Sequence, residues 1–163
     1  FKFLWVLDFP LMEYSEEEKK FVSMHHPFTS PRQEDIAKLT TGKLDSIKAQ
    51  AYDLVLNGFE IGGGSIRIHD PKLQKKIFET LKLTQKEIDE KFGFFVNALK
   101  YGAPVHGGIA LGLDRIAAVM TKSDSIREVI AFPKNKDAKD LMLDSPSSVG
   151  EKQLKELGIK VVK

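Results

Sequence analysis

The pattern of apolar and polar positions along the first part of this chain predicts two strands, a charged loop between them and a helix. Residues 4–7 form a short apolar run that we predict to be a buried strand, and residues 22–28 form a second strand-like run. The charged residues 15–20 predict a solvated loop or hairpin tip. Residues 30–33 read Ser-Pro-Arg-Gln, which is typical of a helix start, and that helix should fade near Gly42.

The pattern between residues 51 and 68 predicts a β-hairpin. Asn57-Gly58 between two apolar runs is a strong signal for a two-residue turn. Such a turn predicts three cross-strand pairs: Leu56 with Phe59, Val55 with Glu60, and Leu54 with Ile61. Asp53 and Glu60 then lie on one sheet face with their Cβ atoms on the order of 7 Å apart. Two carboxylates at that distance repel each other unless a cation lies between them.

A run of three glycines, residues 62–64, follows within the second strand. Glycines inside a strand suggest a bulge, or a close approach by a ligand or another backbone. In a regular strand, Arg67 would lie on the face opposite Glu60. A one-residue bulge within the glycines would bring Arg67 onto the face of the two carboxylates, and we predict that bulge.

Helical periodicity dominates the rest of the chain. The predicted elements are a helix over 72–83, a helix opened by the capping box Thr84–Glu87 and ended near Gly102, a glycine-rich strand over 107–113, a helix with Asp114 as N-cap, a short helix over 124–128, a helix over 148–157 and a strand over 159–162. Helices and strands alternate irregularly, and the clearest pairing is antiparallel. The predicted fold class is therefore α+β, a mostly antiparallel sheet flanked by helices, in a single domain over 1–163.

Composition excludes several classes of protein. At 163 residues, 42% apolar and 29% charged, the chain is typical of a globular domain, and no apolar run approaches the length that spans a bilayer. The absence of cysteine excludes disulfides, cysteine–zinc sites and cysteine nucleophiles. A net charge of +2 is too balanced to indicate nucleic-acid binding. Only four of the 25 basic residues are arginine, so we expect at least one arginine to bind an anion.

The candidate chemistry admits alternatives at this point. Asp53 and Glu60 could hold Mg²⁺ bridged to phosphate oxygens, or could be solvated carboxylates. Arg67 and Arg115 could each bind an anion, or could form surface ion pairs. His25 and its neighbour His26 should point to opposite faces of a strand, so at most one would face a given site. Residues 107–112 fit neither a Walker phosphate loop nor the GxGxxG pattern of dinucleotide-binding folds.

Three segments carry a resemblance to a known family. Residues 107–115, Gly-Gly-Ile-Ala-Leu-Gly-Leu-Asp-Arg, resemble the third signature motif of class II aminoacyl-tRNA synthetases. Residues 24–31, Met-His-His-Pro-Phe-Thr-Ser-Pro, and residues 60–69, Glu-Ile-Gly-Gly-Gly-Ser-Ile-Arg-Ile-His, resemble the bacterial-type aspartyl enzymes in particular. The resemblance covers essentially the whole chain, which looks like the C-terminal portion of the catalytic domain.

The resemblance implies a role for each matching residue. Arg115 would bind the γ-phosphate of ATP, and Gly112, Leu113 and Asp114 would line the nucleotide site. Glu60 would contact ATP and its Mg²⁺, and Asp53 would support the metal. Arg67 would hold the side-chain carboxylate of aspartate, and His25 would close over the bound amino acid. Arg115 and Glu60 are the expected catalytic residues.

The same resemblance implies partners and an activity. The parent enzyme would activate L-aspartate with ATP and transfer it to tRNA, as a cytoplasmic homodimer that does not bind membranes. The family's first two motifs and its anticodon-binding domain are not in this sequence, so we expect this chain alone to be inactive. The alternatives are an ammonia-using aspartate ligase, which is an asparagine synthetase on the same fold, and a non-catalytic module derived from a synthetase.

Overall fold

The structure is a computed structural model that describes residues 1–162. The strands are β1 (Phe3–Leu7), β2 (Met12–Ser15), β3 (Lys20–Ser23), β4 (Ala51–Leu56), β5 (Phe59–Ile66) and β6 (Gly107–Leu111). The main sheet has four antiparallel strands in the order β1-β4-β5-β6, and a separate hairpin pairs β2 with β3. The helices are α1 (Lys38–Thr41), α2 (Pro71–Thr80), α3 (Gln85–Leu99), α4 (Leu113–Thr121) and α5 (Glu151–Glu156). An antiparallel sheet with flanking helices confirms the predicted α+β class.

The described chain forms two compact units. The first is Phe1–Ile116 and contains the whole main sheet, and the second begins at Ala117. The expectation of a single domain over the chain stays a prediction. None of the helices among residues 1–162 combines the length and the apolar character that crossing a membrane requires.

The β4–β5 hairpin has the predicted turn and a bulge next to the predicted place. Asn57 and Gly58 have φ of 52° and 87°, as this type of turn requires. Leu56 pairs with Phe59 and Val55 with Glu60, as predicted, but Leu54 pairs with Gly62. The extra residue is therefore Ile61, one position before the glycines. The predicted Leu54–Ile61 pair was wrong because the bulge begins earlier than expected.

Strand β1 lies at the edge of the sheet. It pairs with β4 from Phe3–Leu56 to Leu7–Tyr52, and no second neighbour of β1 occurs among residues 1–162. All five of its residues are exposed, including Trp5 at 54%. The prediction of a strand here is confirmed, but the prediction that it is buried was wrong, because burial depends on a second strand or layer that the pattern alone cannot supply.

The core of the first unit lies between the main sheet, the β2–β3 hairpin and α2. Its buried members are Leu11, Met12, Leu39, Ile47, Ala49, Ala51, Ile68, Ile77 and Leu81. The predicted capping box of α3 is present, with Thr84 Oγ1 accepting from the Glu87 backbone N–H and the Glu87 carboxylate accepting from the Thr84 backbone N–H. Ile77 on α2 and Ile88 on α3 are both buried.

Several predicted boundaries were wrong. The expected helix after Ser30 is a 3₁₀ turn over Gln33–Asp35 followed by the short α1, and the expected strand over 22–28 ends at Ser23. Residues 124–128 contain only a 3₁₀ turn, and residues 159–162 form no strand. Each of these segments lacks the partner that would have extended it: Ser30, for example, makes no cap to the turn and instead hydrogen-bonds the sheet through its backbone.

Candidate functional site

The face of the sheet between β4 and β5 carries a cavity of about 320 Å³. The polar side chains in its wall come from three separate parts of the sequence: His25, His26, Thr29, Asp53, Glu60, Ser65 and Arg67. The bulge at Ile61 explains why Arg67 is among them. It shifts the side-chain alternation by one residue, so that positions 63, 65 and 67 share the face of Asp53 and Glu60. The predicted gathering of Arg67 with the two carboxylates is thus present.

The carboxylates of Asp53 and Glu60 converge above Gly63. Asp53 pairs directly with Gly63, and a Cβ placed on that glycine would overlap Oδ1 of Asp53 and lie 3.7 Å from Oε1 of Glu60. Burial raises the pKa of the Asp53 carboxyl, and the negative charge of Glu60 raises it further. The two groups therefore repel each other across a space that only glycine leaves open.

The glycine run also lets a neighbouring backbone approach. A Cβ on Gly64 would overlap the carbonyl oxygen of Gly108 on β6, and a Cβ on Gly62 would lie 2.9 Å from the carbonyl oxygen of Ala110. The expected close approach is therefore made by β6 on one side and by the carboxylate of Asp53 on the other. The floor of the cavity is backbone rather than side chain.

Arg67 is held at the edge of the cavity by backbone and ring contacts. Its backbone N–H donates to the carbonyl of His106 at 2.9 Å, and its guanidinium Nη1 contacts the imidazole of His26. The His26 Nδ1 also accepts from the Phe28 backbone N–H at 3.2 Å. Burial lowers the pKa of His26, and the positive charge of Arg67 lowers it further. A neutral His26 can accept from Arg67 and leave the rest of the guanidinium facing the cavity.

His25 and His26 both line the cavity, so the expectation that at most one would face a site was wrong. It assumed a strand, but β3 ends at Ser23, His25 lies in a bend and His26 lies in the irregular segment that follows. Strict alternation does not apply there. The His25 ring packs edge-on against Phe9, with ring centroids 5.1 Å apart. This contact orients His25 within the wall of the cavity.

Arg115 lies beside the cavity and is tied to Glu60. Its Nη1 donates to the backbone carbonyl of Glu60 at 2.6 Å and lies 3.5 Å from Oε2 of the same residue. The Gly112 backbone N–H donates to the carbonyl of Ile61 at 2.8 Å, which fixes the start of α4 against the bulge. Glu60 therefore links the cavity to the guanidinium of Arg115.

The start of α4 differs from the prediction. The helix begins at Leu113, so Asp114 is its second residue and not the N-cap. Leu113 is 77% exposed, and Asp114 and Arg115 are exposed as well. Gly112, Leu113, Asp114 and Arg115 do not line the cavity; they form an exposed shelf next to Glu60.

The two carboxylates of the cavity fit Mg²⁺. Among residues 1–162, no three His, Cys, Asp or Glu side chains come together as a metal cage. Mg²⁺ in nucleotide sites needs only one or two carboxylates, because phosphates and water complete its shell. Asp53 and Glu60 supply two hard oxygen donors whose mutual repulsion a cation would relieve.

Sequence reasoning missed two features of the cavity. One is His26, because the assumption of a strand allows only one of the two adjacent histidines to face the cavity. The other is the buried pair Thr29 and Ser65, whose hydroxyls lie 3.4 Å apart in the wall. Ser65 lies two residues before Arg67 and shares its face, so the alternation that predicts the position of Arg67 also predicts that of Ser65.

Comparison with known proteins shows what the chain is similar to. The model of the family described as tRNA synthetases class II (D, K and N) matches residues 1–136. The chain is 62% identical, over 161 residues, to an Aspartate--tRNA(Asp/Asn) ligase of Caldanaerobacter subterraneus subsp. tengcongensis, covering 99% of this chain and 27% of that protein. It is 56% identical, over 163 residues, to the Aspartate--tRNA ligase of Mycoplasma mycoides subsp. mycoides SC, covering 100% of this chain and 28% of that protein. The chain thus spans about a quarter of each relative's length.

Solved structures share the fold. An aspartyl tRNA synthetase from Entamoeba histolytica superimposes with a TM-score of 0.61 at 22% identity, covering 85% of this chain and 23% of that one. An asparaginyl-tRNA synthetase of the same organism, in complex with asparaginyl-adenylate, gives 0.62 at 21% identity, covering 85% of this chain and 26% of that one. Since the family model matches most of the sequence and close relatives match nearly all of it, the chain belongs to the class II tRNA synthetase family (D, K and N).

Proposed function

We propose that this chain is the part of an aspartate–tRNA ligase that holds the amino acid and the phosphates of ATP. The observation that carries the proposal is the cavity in which one arginine, two histidines and two carboxylates meet over a glycine floor. The names of the closely similar relatives support the same activity. The parent enzyme would join the α-carboxylate of aspartate to the α-phosphate of ATP and release pyrophosphate. It would then pass the aspartyl group from the adenylate to tRNA and release AMP.

Arg67 is the proposed recognition group for the aspartate side chain. Its planar fork can bind a carboxylate with two parallel hydrogen bonds, which a side-chain amide cannot match. The contact with His26 fixes one edge of the guanidinium and leaves the other for substrate. His25, held against Phe9, is the proposed group that closes over the bound amino acid.

Glu60 and Arg115 are the proposed catalytic residues, and they act on the phosphates. Arg115 would leave its exposed pairing with Glu60 and bind the γ-phosphate, beside the shelf of Gly112, Leu113 and Asp114. Asp53 and Glu60 would hold Mg²⁺, whose chemistry at this site is to neutralise the phosphate charge. Positioning and charge neutralisation are the main contributions available to such a reaction.

Three expectations about the parent enzyme remain predictions. The second family motif, to which the resemblance assigns the arginine at the α-phosphate, is not in this sequence, so we expect no activity from residues 1–163 alone. Dimerisation and a cytoplasmic location are likewise expectations for the parent enzyme.

The test is aspartate-dependent ATP–pyrophosphate exchange in the full-length synthetase, with Arg67→Gln as the variant. Losing a charged hydrogen bond to the substrate should raise the KM for aspartate roughly 10- to 100-fold and leave the KM for ATP nearly unchanged. Arg32→Gln is the matched control, because it removes the same charged group from an arginine that lines a different cavity. Equal effects of the two variants would contradict the proposed role of Arg67.

The second step distinguishes the rival activity. An aspartate–ammonia ligase would also catalyse aspartate-dependent exchange, but its product would be free asparagine. Incubation of the full-length protein with radiolabelled aspartate, ATP and either tRNA or ammonium separates the two. Label in tRNA supports the proposal, and label in asparagine supports the ammonia ligase. No exchange at all would favour a non-catalytic module.

A further inference from the structure

A second cavity lies on the other side of His26 and Arg67. It has a volume of about 550 Å³, and its wall includes Phe28, Lys91 and Phe95 as well as those two residues. His26 and Arg67 line the first cavity too, so they form a shared partition between the cavities. No role assigned above uses this second cavity.

Its apolar wall is built from aromatic rings. The ring of Phe28 packs against Phe95, with centroids 4.6 Å apart, and against Phe92, with centroids 5.2 Å apart. Phe94, directly before Phe95 on α3, lines the same cavity and is 83% exposed. Flat rings of this kind favour offset or edge-on packing with another planar ring. The wall therefore suits a planar aromatic ligand rather than a flexible chain.

Its polar wall is cationic. Arg67, Lys91 and His106 line the cavity, and no acidic side chain does. Neither Arg67 nor Lys91 forms an ion pair within residues 1–162, because no carboxylate oxygen there lies within 4.0 Å of their side-chain nitrogens. Two cations that face one partly apolar cavity complement an anion, and a planar carboxylate matches the geometry of an arginine fork.

We infer that the second cavity is a binding site for a small aromatic carboxylate, with the ring against the phenylalanines and the carboxylate between Arg67 and Lys91. Because Arg67 faces both cavities, the ligand would draw on the guanidinium that holds aspartate in the first one. The two ligands would then weaken each other's binding reciprocally. Only this last step rests on the proposed function; the site itself rests on the cavity.

The test uses naphthalene-2-carboxylate as the probe and naphthalene-2-carboxamide as its uncharged analogue, with calorimetric binding to the full-length synthetase in the absence of aspartate and ATP. The carboxylate should bind more tightly than the carboxamide, and Lys91→Gln should weaken carboxylate binding about tenfold. Lys86→Gln is the matched control, since Lys86 is exposed on the same helix but lies outside the cavity. That variant should bind the probe as the parent protein does.

Three results would overturn the site: no binding of the carboxylate, equal binding of the carboxamide, or equal effects of the two lysine variants. A separate titration of the probe in saturating aspartate tests the shared arginine. Weaker binding of the probe supports the sharing, and unchanged binding overturns it. Because probe binding is measured without substrates, its failure is distinguishable from a failure of aspartate to bind at all.

Discussion

The carboxylate of Asp53 occupies the space that a methyl group on Gly63 would fill. Gly63→Ala should therefore displace Asp53 from Glu60 while the strand pairing of the backbone is kept. We expect pyrophosphate exchange by the full-length enzyme to fall at least tenfold, with a matching rise in the Mg²⁺ concentration needed for half-maximal rate. Exchange assays over a Mg²⁺ series measure both.

Gly93→Ala is the control for that substitution. Gly93 lies within α3, and a Cβ there would meet nothing within 4 Å. Replacing a helical glycine by alanine should stabilise the protein by about 0.5–1 kcal/mol and leave exchange unchanged. If Gly63→Ala left pyrophosphate exchange unchanged, as Gly93→Ala should, the close contact of Gly63 with Asp53 would not matter for activity.

Asp53→Asn should change stability and activity in opposite directions. The carboxylates of Asp53 and Glu60 repel each other in the metal-free protein, and burial makes the charge of Asp53 more costly. Removing one charge should increase the free energy of unfolding by about 1 kcal/mol or less, while exchange falls. Denaturant unfolding without Mg²⁺ gives the first quantity.

Asp45→Asn provides the comparison, because Asp45 is an exposed aspartate on a 3₁₀ turn outside the cavity. It should alter neither stability nor exchange. A loss of stability in Asp53→Asn would show that the carboxylate is already compensated without a metal.

Arg115→Gln should reduce activity with little effect on folding. The Arg115–Glu60 ion pair is about half exposed, at 48% and 51%, and exposed pairs contribute no more than about 1 kcal/mol. The KM for ATP should rise roughly tenfold or more if Arg115 binds a phosphate. Thermal unfolding and exchange kinetics are measured on the same preparations, with Arg32→Gln as the other exposed, ion-paired arginine. A collapse of the melting temperature would mean that Arg115 acts structurally.

Asp35 gives the fold a dependence on pH. The pKa of this buried carboxyl is held below its usual range, mainly by the hydrogen bond from Lys38 Nζ and secondly by the one from the Lys48 backbone N–H. A lowered folded pKa stabilises the protein above the unfolded pKa, and the gain is lost as pH falls through the folded value. Asp35→Asn should therefore destabilise the protein near pH 7, and less so near pH 3.

Denaturant unfolding at the two pH values measures this difference. The exposed Asp45→Asn again serves as the reference. An equal loss of stability for Asp35→Asn at both pH values would mean that shape, and not charge, accounts for the contribution of Asp35.

The hairpin and α3 could be predicted because their signals are local. Asn57-Gly58 dictates a turn through the φ values that those residues tolerate, and Thr84–Glu87 caps a helix through its own side chains. The exposure of β1 could not be predicted, because it depends on whether a neighbouring strand is present. The same is true of residues 159–162, whose apolar character found no strand to pair with.

Members of the candidate site could be predicted where the alternation of side chains between the two sheet faces determines their position. They could not be predicted where a strand ends earlier than expected. Asp53, Glu60 and Arg67 follow from the turn and a bulge, although the bulge is at Ile61 and not within the glycines. The contact of His26 with Arg67 depends on the end of β3 at Ser23. Pro27, which argues against a continuous strand over 22–28, is the sequence signal that the prediction did not use. The position of Arg115 beside Glu60 needed the β5–β6 pairing, which the glycines permit but do not specify.

The bulge at Ile61 makes the count of residues between Glu60 and Arg67 as important as their identity. Deleting one of the six intervening residues can be absorbed by loss of the bulge, because two residues six positions apart on a regular strand share a face. A deletion that left the bulge in place would instead put the guanidinium on the reverse side of the sheet. Among descendants of such a gene, a one-residue deletion here should therefore be found together with a regular β4–β5 pairing.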